Sequence, residues 1–443
     1  MNSRPFTSAV AATFWLSILS GAQAVTLEQV LQTTLEKNPA IQQAKANLEQ
    51  AAGQRLVLRS IVWPSVKVNV PAGIQGGHRA GESSFKAFAF ARGVFTQPLF
   101  NAAIPASFRR GNVDVLIAEQ QLNVAVVEQL HAARLTFYAA LYSRKLQSIR
   151  EEQRHRLDEN AVTQNSRYQA GLANRSAATS ATMQARELDS QIEAAQRGYA
   201  GAQLKLAEAM GLDLGPGARL PNPEGELQSS PVAFDVHSAT TAALKRRADL
   251  KLARLLVRAA NEDQRIIEAG YYPVVTGTVT GDYLPVTGIH REGSTSRNQD
   301  FISSEIREGA GYTWQVIDNG KVTGAVIRQR KAREINEITC RKLETDIGNE
   351  LSRIHNNLEA IEERQTSLGN ALAAAEENAS TVRQNLDAGL LSELEYRVAE
   401  SGLLKIKSGL LNASYEHNVL LAGWDRATGR YFQFSDDTPQ NVH

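Results

Sequence analysis

Two patterns of apolar and polar positions alternate along this chain. Leu122, Val126, Leu130, Ala133, Phe137 and Leu141 recur at spacings of four and three, and Leu343, Ile347, Leu351, Ile354, Leu358 and Ile361, then Leu368 and Leu372, do so more sharply. Sustained 3-4 spacing marks the seam of a coiled coil. The first run predicts helix from Asn101 to about Tyr168, about 100 Å at ~1.5 Å per residue, where globular helices average about 10–14 residues. The second pattern has period two. Ser65 to Val70 alternates strictly, Phe85 to Phe90 less cleanly, and Val274 to Val279 and Ile302 to Tyr312 follow suit, as strands with two different faces should. Between these segments, Ala72 to Ser83 and Pro285 to Gln299 are rich in Gly, Ser, His and Arg and read as solvent-exposed loops.

The order of these patterns repeats. Asn38-Pro39, a helical run and Trp63-Pro64-Ser65 are echoed by Arg247-Ala248-Asp249, a helical run and Tyr271-Tyr272-Pro273. Thr96 to Asn101 is echoed by Thr313 to Asp318, and Arg167 to Leu172 by Asn385 to Leu390. Separations of about 210–218 residues mark a tandem duplication rather than a short solenoid period. The expected organisation is a first repeat over 25–230, with strands about 65–73 and 84–100, a helical hairpin about 102–210 and a Pro- and Gly-rich connector at 211–230. The second repeat, 231–430, carries strands about 273–284 and 301–317 and a hairpin about 319–423, followed by a tail at 431–443. Gly171 and Gly389 interrupt helical stretches; glycine costs a helix interior about 1 kcal/mol relative to alanine, so each is expected to end one helix and permit an antiparallel return.

Each repeat supplies two strands long enough to cross a bilayer when tilted. Four strands cannot close a barrel, and open edges are not tolerated in lipid. A membrane-spanning reading therefore requires oligomerisation.

Composition narrows the class further. Arg4, the apolar run Ala9 to Leu19 and Ala22-Gln23-Ala24 have the layout of a secretory signal peptide over 1–24, with a mature start near Val25. No later stretch approaches the ~18–20 apolar residues of a helical span, which leaves a β-barrel open. The lone cysteine, Cys340, excludes an intramolecular disulfide and reads as a buried helical thiol. Forty-eight Lys and Arg against forty-seven Asp and Glu, interleaved throughout, argue against a nucleic-acid partner. Gly320-Lys321 lacks the glycine spacing of a phosphate loop. His131, His155, His355 and His417 are scattered along helices, so no metal site, cofactor or catalytic constellation is expected.

At this point the chain resembles a known family. Gln97-Pro98-Leu99-Phe100-Asn101 is similar to the Q-P-L-F-D segment of the TolC family of outer-membrane efflux and secretion channels, and Val316 to Gly320 to its second-half counterpart. Arg167 to Leu172 resembles the hairpin-tip pattern R-Y-x-x-G-L, Leu386 to Leu390 its weaker partner, and Arg247 to Leu250 resembles R-P-D-L with Ala248 in place of proline. The resemblance implies a mainly α fold with a membrane β-barrel portion: a homotrimer whose protomers each give four strands to a twelve-stranded outer-membrane barrel, continued by a periplasmic α-barrel of coiled-coil helices. It implies contact with outer-membrane lipid, a periplasmic adaptor protein and an energised inner-membrane transporter, in an efflux pump or type I secretion system. Tip turns and adaptor contact fall on Gly171, Leu172, Gly389 and Leu390.

The family's entrance gate transfers poorly. Alignment on Gly389 puts one ring acid on Glu395 and the second on Val398, while the latch positions fall on Leu386, Leu391 and Ala177. Two expectations follow: a cation-favouring carboxylate ring at Glu395, or an apolar constriction at Leu386 and Leu391. From another functional class, a periplasmic coiled-coil adaptor without a barrel would share the helices but not the paired strands.

Overall fold

The computed structural model describes residues 24–79, 82–215, 219–227, 234–290 and 298–430. The signal-peptide reading, Ala24 aside, and the tail at 431–443 lie outside the described residues, as does part of the connector. The elements in chain order are β1 (Ala24–Val25), α1 (Leu27–Lys37), α2 (Pro39–Arg59), β2 (Ser65–Asn69), β3 (Ala72–Arg79), β4 (Glu82–Ala89), β5 (Ala91–Phe100), α3 (Ile104–Gln169) and α4 (Arg175–Ala209). Then follow β6 (Asn222–Pro223), α5 (Val236–Arg246), α6 (Ala248–Glu268), β7 (Val274–His290), β8 (Asn298–Thr313), α7 (Lys321–Asp387) and α8 (Glu393–Ala427).

The duplication is visible in lengths. α1 and α5 have 11 residues each, α2 and α6 have 21, α4 and α8 have 35, and α3 and α7 have 66 and 67. In each half two left-handed glycines follow the ends of the paired long helices, Gly171 and Gly211 in the first, Gly389 and Gly429 in the second. All four close a helix in the same way. The amide after each glycine donates to a carbonyl five residues back (Leu172 to Arg167, Leu212 to Ala207, Leu390 to Asn385, Arg430 to Asp425, at 2.8–3.0 Å), which uses carbonyls that a helix end leaves unpaired.

Contacts divide the chain into two compact units. The first comprises Met1–Asn38, Gln129–Val232 and Asn357–Ala422. Its main core gathers Val30, Phe137, Tyr138, Leu141, Leu206, Met210, Leu411 and Ala422, the middle of the long-helix seam. Thr26 and Gln29 form a capping box that starts α1. A second cluster of Leu157, Ala185, Leu188, Leu386 and Tyr396 lies toward the hairpin turns.

The second unit comprises Pro39–Glu128, Ala233–Asn356 and Gly423–His443. It holds the antiparallel sheet, in the order β2-β5-β7-β8, and the ribbon β3-β4. The strands β7 and β8 pair from Val274 opposite Thr313 to His290 opposite Asn298, and β3 pairs with β4 through Arg79 opposite Glu82. The expected loops at 72–83 and 285–299 are thus largely extended hairpins; their Gly- and Ser-rich polar composition carries no apolar face for alternation to reveal. β8 ends at Thr313, short of the expected 317, because the chain turns to start α7. Asp318 accepts from the amides of Gly320 (3.0 Å) and Val322 (2.7 Å), and Asn319 and Gly320 both take positive φ. Beside the sheet, Arg109 pairs with the buried Glu262 (2.9 Å) and Arg110 with Asp263 (2.7 Å), fastening α3 to α6.

Candidate functional site

The register sorts every strand residue onto one of two faces. On one face, Val68, Gly93, Gly281 and Ile306 form a row across all four strands, and Val66, Phe95, Val279 and Glu308 form the next. Ala91 and Tyr283 stand above these rows; Gly277 with Ala310, and Phe100, Val275 and Tyr312, stand below. These side chains are apolar, with three exceptions: Glu308, Ser304 opposite Tyr283, and Gln97 opposite Gly277, whose amide donates to the Val62 and Pro98 carbonyls. Yet Val66 is 68% exposed and Ile306 is 74% exposed. The other face carries Asn69, Arg92, Asp282 and Glu305 in one row, Lys67, Val94, Thr280 and Arg307 in the next, then Ser65, Thr96, Thr278 and Gly309. Asp282 is held by two guanidiniums, Arg92 Nε at 2.5 Å and Arg307 Nη2 at 2.6 Å.

From Val275 to Tyr283 the apolar face spans about 27 Å of strand, or about 21 Å at a ~40° tilt, close to the ~25 Å lipid band of outer-membrane barrels. Exposed Trp63, Tyr271, Tyr272, Tyr312 and Trp314 gather where the strands meet the helices, and Trp314 Nε1 donates to the Tyr271 carbonyl (3.1 Å). Such aromatic rings mark a membrane–water boundary. No described helix is long and apolar enough to cross a membrane.

The hairpin turns form the second candidate region. Gly171 and Gly389 are at the α3–α4 and α7–α8 turns, and Leu172 and Leu390 beside them are exposed. Arg167 reaches across from α3 to the carbonyls of Leu386 (2.9 Å) and Asp387 (3.0 Å), so the first hairpin caps the long helix of the second. Further links follow α3: Asn160 donates to Glu393 (2.9 Å), Arg383 pairs with Glu159 (3.1 Å) and Arg156 with the buried Glu400 (3.1 Å). Fully buried Tyr396 donates its hydroxyl to Glu400 (3.3 Å). Burial pushes the Tyr396 hydroxyl well above its ordinary range, and Glu400 adds to this. Burial also raises the Glu393 carboxyl; the Asn160 hydrogen bond opposes the rise without cancelling it.

The sequence-expected gate residues separate. Leu386 is 5% exposed and packed with Leu157 and Tyr396. Leu391 is half-buried in the turn. Glu395 is exposed, and its carboxylate accepts from the Ser392 amide (2.7 Å) and hydroxyl (2.8 Å); these bonds hold it below the usual carboxylate range. Alignment on a turn glycine misses the Arg156–Glu400–Tyr396 network. Its one sequence trace is a tyrosine four residues before a glutamate on a helix. Cys340 is buried, and no group of metal-ligating side chains occurs among the described residues.

No curated protein sequence matches this chain. Solved structures do. The outer membrane protein VceC of Vibrio cholerae aligns at a TM-score of 0.74 with 16% identity, over 91% of this chain and 96% of its own. CusC, described in terms of transmembrane channel formation, aligns at 0.76 with 14% identity, over 91% and 92%. The Campylobacter jejuni CmeC outer membrane channel aligns at 0.72 with 15% identity, over 93% and 87%. These likenesses show the fold. The model of the outer membrane efflux proteins matches residues 30–212 and 240–430, one segment in each copy of the duplication, and to that family this chain belongs.

Proposed function

We propose that three copies of this chain close one twelve-stranded barrel in the outer membrane, and that the barrel is the passive exit duct of an efflux pump or type I secretion system. The observation that carries this reading is a two-faced sheet whose outer strands, β2 and β8, have no further neighbour among the described residues. An unpaired backbone group in hydrocarbon costs several kcal/mol. The two edge strands run antiparallel, so β8 of one copy can pair with β2 of the next. Three repetitions give a closed wall, apolar toward lipid and polar toward its lumen.

The periplasmic helices would receive cargo from an adaptor protein and, through it, an energised inner-membrane transporter. Leu172 and Leu390, apolar and exposed on tight turns, are the surface offered to the adaptor. Glu395 is proposed as a carboxylate ring at the entrance and Leu391 as its apolar neighbour. The adaptor alternative leaves the exposed apolar sheet face without a medium.

Fractionation and unheated electrophoresis test the reading. The expected result is an outer-membrane species migrating as an SDS-resistant trimer that conducts ions in planar bilayers. A soluble periplasmic monomer would overturn it. The Glu395→Gln channel is expected to lose cation preference; an unchanged permeability ratio would remove the ring.

A further inference from the structure

The first hairpin holds one register from β2–β5 into β3–β4: Asn69 opposes Arg92 and Ala72 opposes Ala89, with the Phe90 amide bonded to the Pro71 carbonyl between them. Side-chain alternation therefore continues through the junction, and Phe88 and Phe90 stand on the same face as Arg92. That is the polar face. The two rings stack at 6.2 Å, and the Arg92 guanidinium lies 5.9 Å from the Phe90 centroid. Phe88 lies over Gly73, where a Cβ would sit 3.2 Å from the ring.

Beside this aromatic shelf the charge is unbalanced. Lys67, Arg92 and Arg307 share the two neighbouring rows with two carboxylates, Asp282 and Glu305. Asp282 takes two donors from Arg92 and one from Arg307. Arg307 Nε also lies 3.6 Å from the Glu305 carboxylate. A guanidinium has five N–H donors, so both arginines still keep N–H groups for a further acceptor.

We propose that this patch is a binding site in the outflow path for amphiphilic aromatic anions, with the ring on Phe88 and Phe90 and the anionic group on Arg92 and Arg307. The inference rests on the reading that the polar face lines the lumen. An aromatic face and a planar cation side by side match a ring bearing a carboxylate, sulfonate or phosphate. Lysines alone would attract any anion. The stacked rings add the selection for an apolar body.

The test uses the intact channel in planar bilayers, with 1-naphthoate, acetate and 1-naphthylmethylammonium added from the side of the extended hairpins. Naphthoate should reduce the current at concentrations where acetate and the naphthyl cation do not. Arg307→Gln should weaken that block about tenfold, the scale of a lost charge-assisted hydrogen bond. Phe90→Leu should weaken it about threefold and Phe90→Tyr should not. Arg92→Lys, which retains the charge, should weaken it by loss of the fork. Equal block by acetate, equal block by the naphthyl cation, or block unchanged in both Arg307→Gln and Phe90→Leu would overturn the site and leave a purely structural packing of Phe88 on Gly73. Failure of the unmodified protein to conduct at all would instead overturn the lumen reading on which the site rests.

Discussion

Four glycines close helices in this chain with one hydrogen-bond pattern, yet their surroundings divide them into two kinds. At the hairpin turns, a Cβ on Gly171 would meet nothing within 4 Å, and one on Gly389 would meet only the end of the Arg167 side chain at 3.3 Å. At the other pair, a Cβ on Gly211 would strike the Lys37 carbonyl oxygen at 2.6 Å and the Asn38 Cα at 2.8 Å, and one on Gly429 would press Arg246 and the Arg247 amide at 3.1–3.2 Å. The turns need glycine for conformation alone. The corners need it for conformation and for close approach of a second chain segment. Each corner is also locked by a side chain: Asn38 donates to the Ala209 carbonyl (2.9 Å) and Arg247 to that of Ala427 (3.4 Å), equivalent atoms of the two copies. Corners are thus built as fixed joints, and turns as surfaces free to meet something else.

Substitution should reproduce that ranking. Gly211→Ala is expected to cost about 3–4 kcal/mol, left-handed strain plus a backbone clash, and to abolish the assembled species in unheated gels. Leu386→Ser removes a buried side chain and leaves a hydroxyl in the core, at about 3 kcal/mol, and should lower the Tm without raising resting conductance. Leu391→Ser should do the reverse. Gly429→Ala, where the neighbours can yield by a few tenths of an ångström, should cost about 2 kcal/mol, and Gly171→Ala about 1 kcal/mol. Denaturant titration of all three glycine variants would collapse the comparison if turn and corner cost the same.

The two regions should also answer pH in opposite senses. Glu393, near the turns, has a carboxyl raised by burial. Its contribution to stability is complete below the unfolded carboxyl value of about 4.3 and is lost as pH rises through the folded value. At the second-unit corner, burial would raise Asp249, but the bidentate Arg247 contact (2.7 and 3.0 Å) wins and holds it low. That contribution is present above about pH 3.9 and is lost as pH falls through the folded value. Arg247 also binds Glu350 (2.6 Å), which in turn holds Arg426 (2.8 Å). Hydrogen exchange during acidification from neutral pH should show the turn end of α8 gaining protection first and the start of α6 losing it only below about pH 4.

Much of this organisation could be read from residue patterns, for identifiable reasons. A glycine inside a long helical run carries a known cost, and its repetition at matched positions exposed both turns. Strict alternation exposed β2 and the start of β7 because one face of each meets an apolar medium. Gly429 gave no comparable signal. Its constraint comes from Arg246 and Arg247, far away in sequence, and a glycine near a helix end is unremarkable without that neighbour. The burial of Leu386 gave no signal for a similar reason. Its distance from Gly389 fixes its place on the helix, but the side chains that bury it come from three other helices. The extended hairpins beyond the lipid band escaped notice because polar, glycine-rich strands have no apolar stripe.

The central claim is that one face of the sheet meets lipid and the other water. Single cysteines along β7, in a Cys340→Ala background, test it in the assembled protein in membranes. Cysteines at Thr276, Thr278 and Thr280 are predicted to react with a charged, membrane-impermeant thiol reagent and to lower conductance. Those at Val275, Val279 and Tyr283 should react only with lipid-soluble reagents. Equal labelling at neighbouring positions, or none at the three threonines, would contradict the two-faced wall.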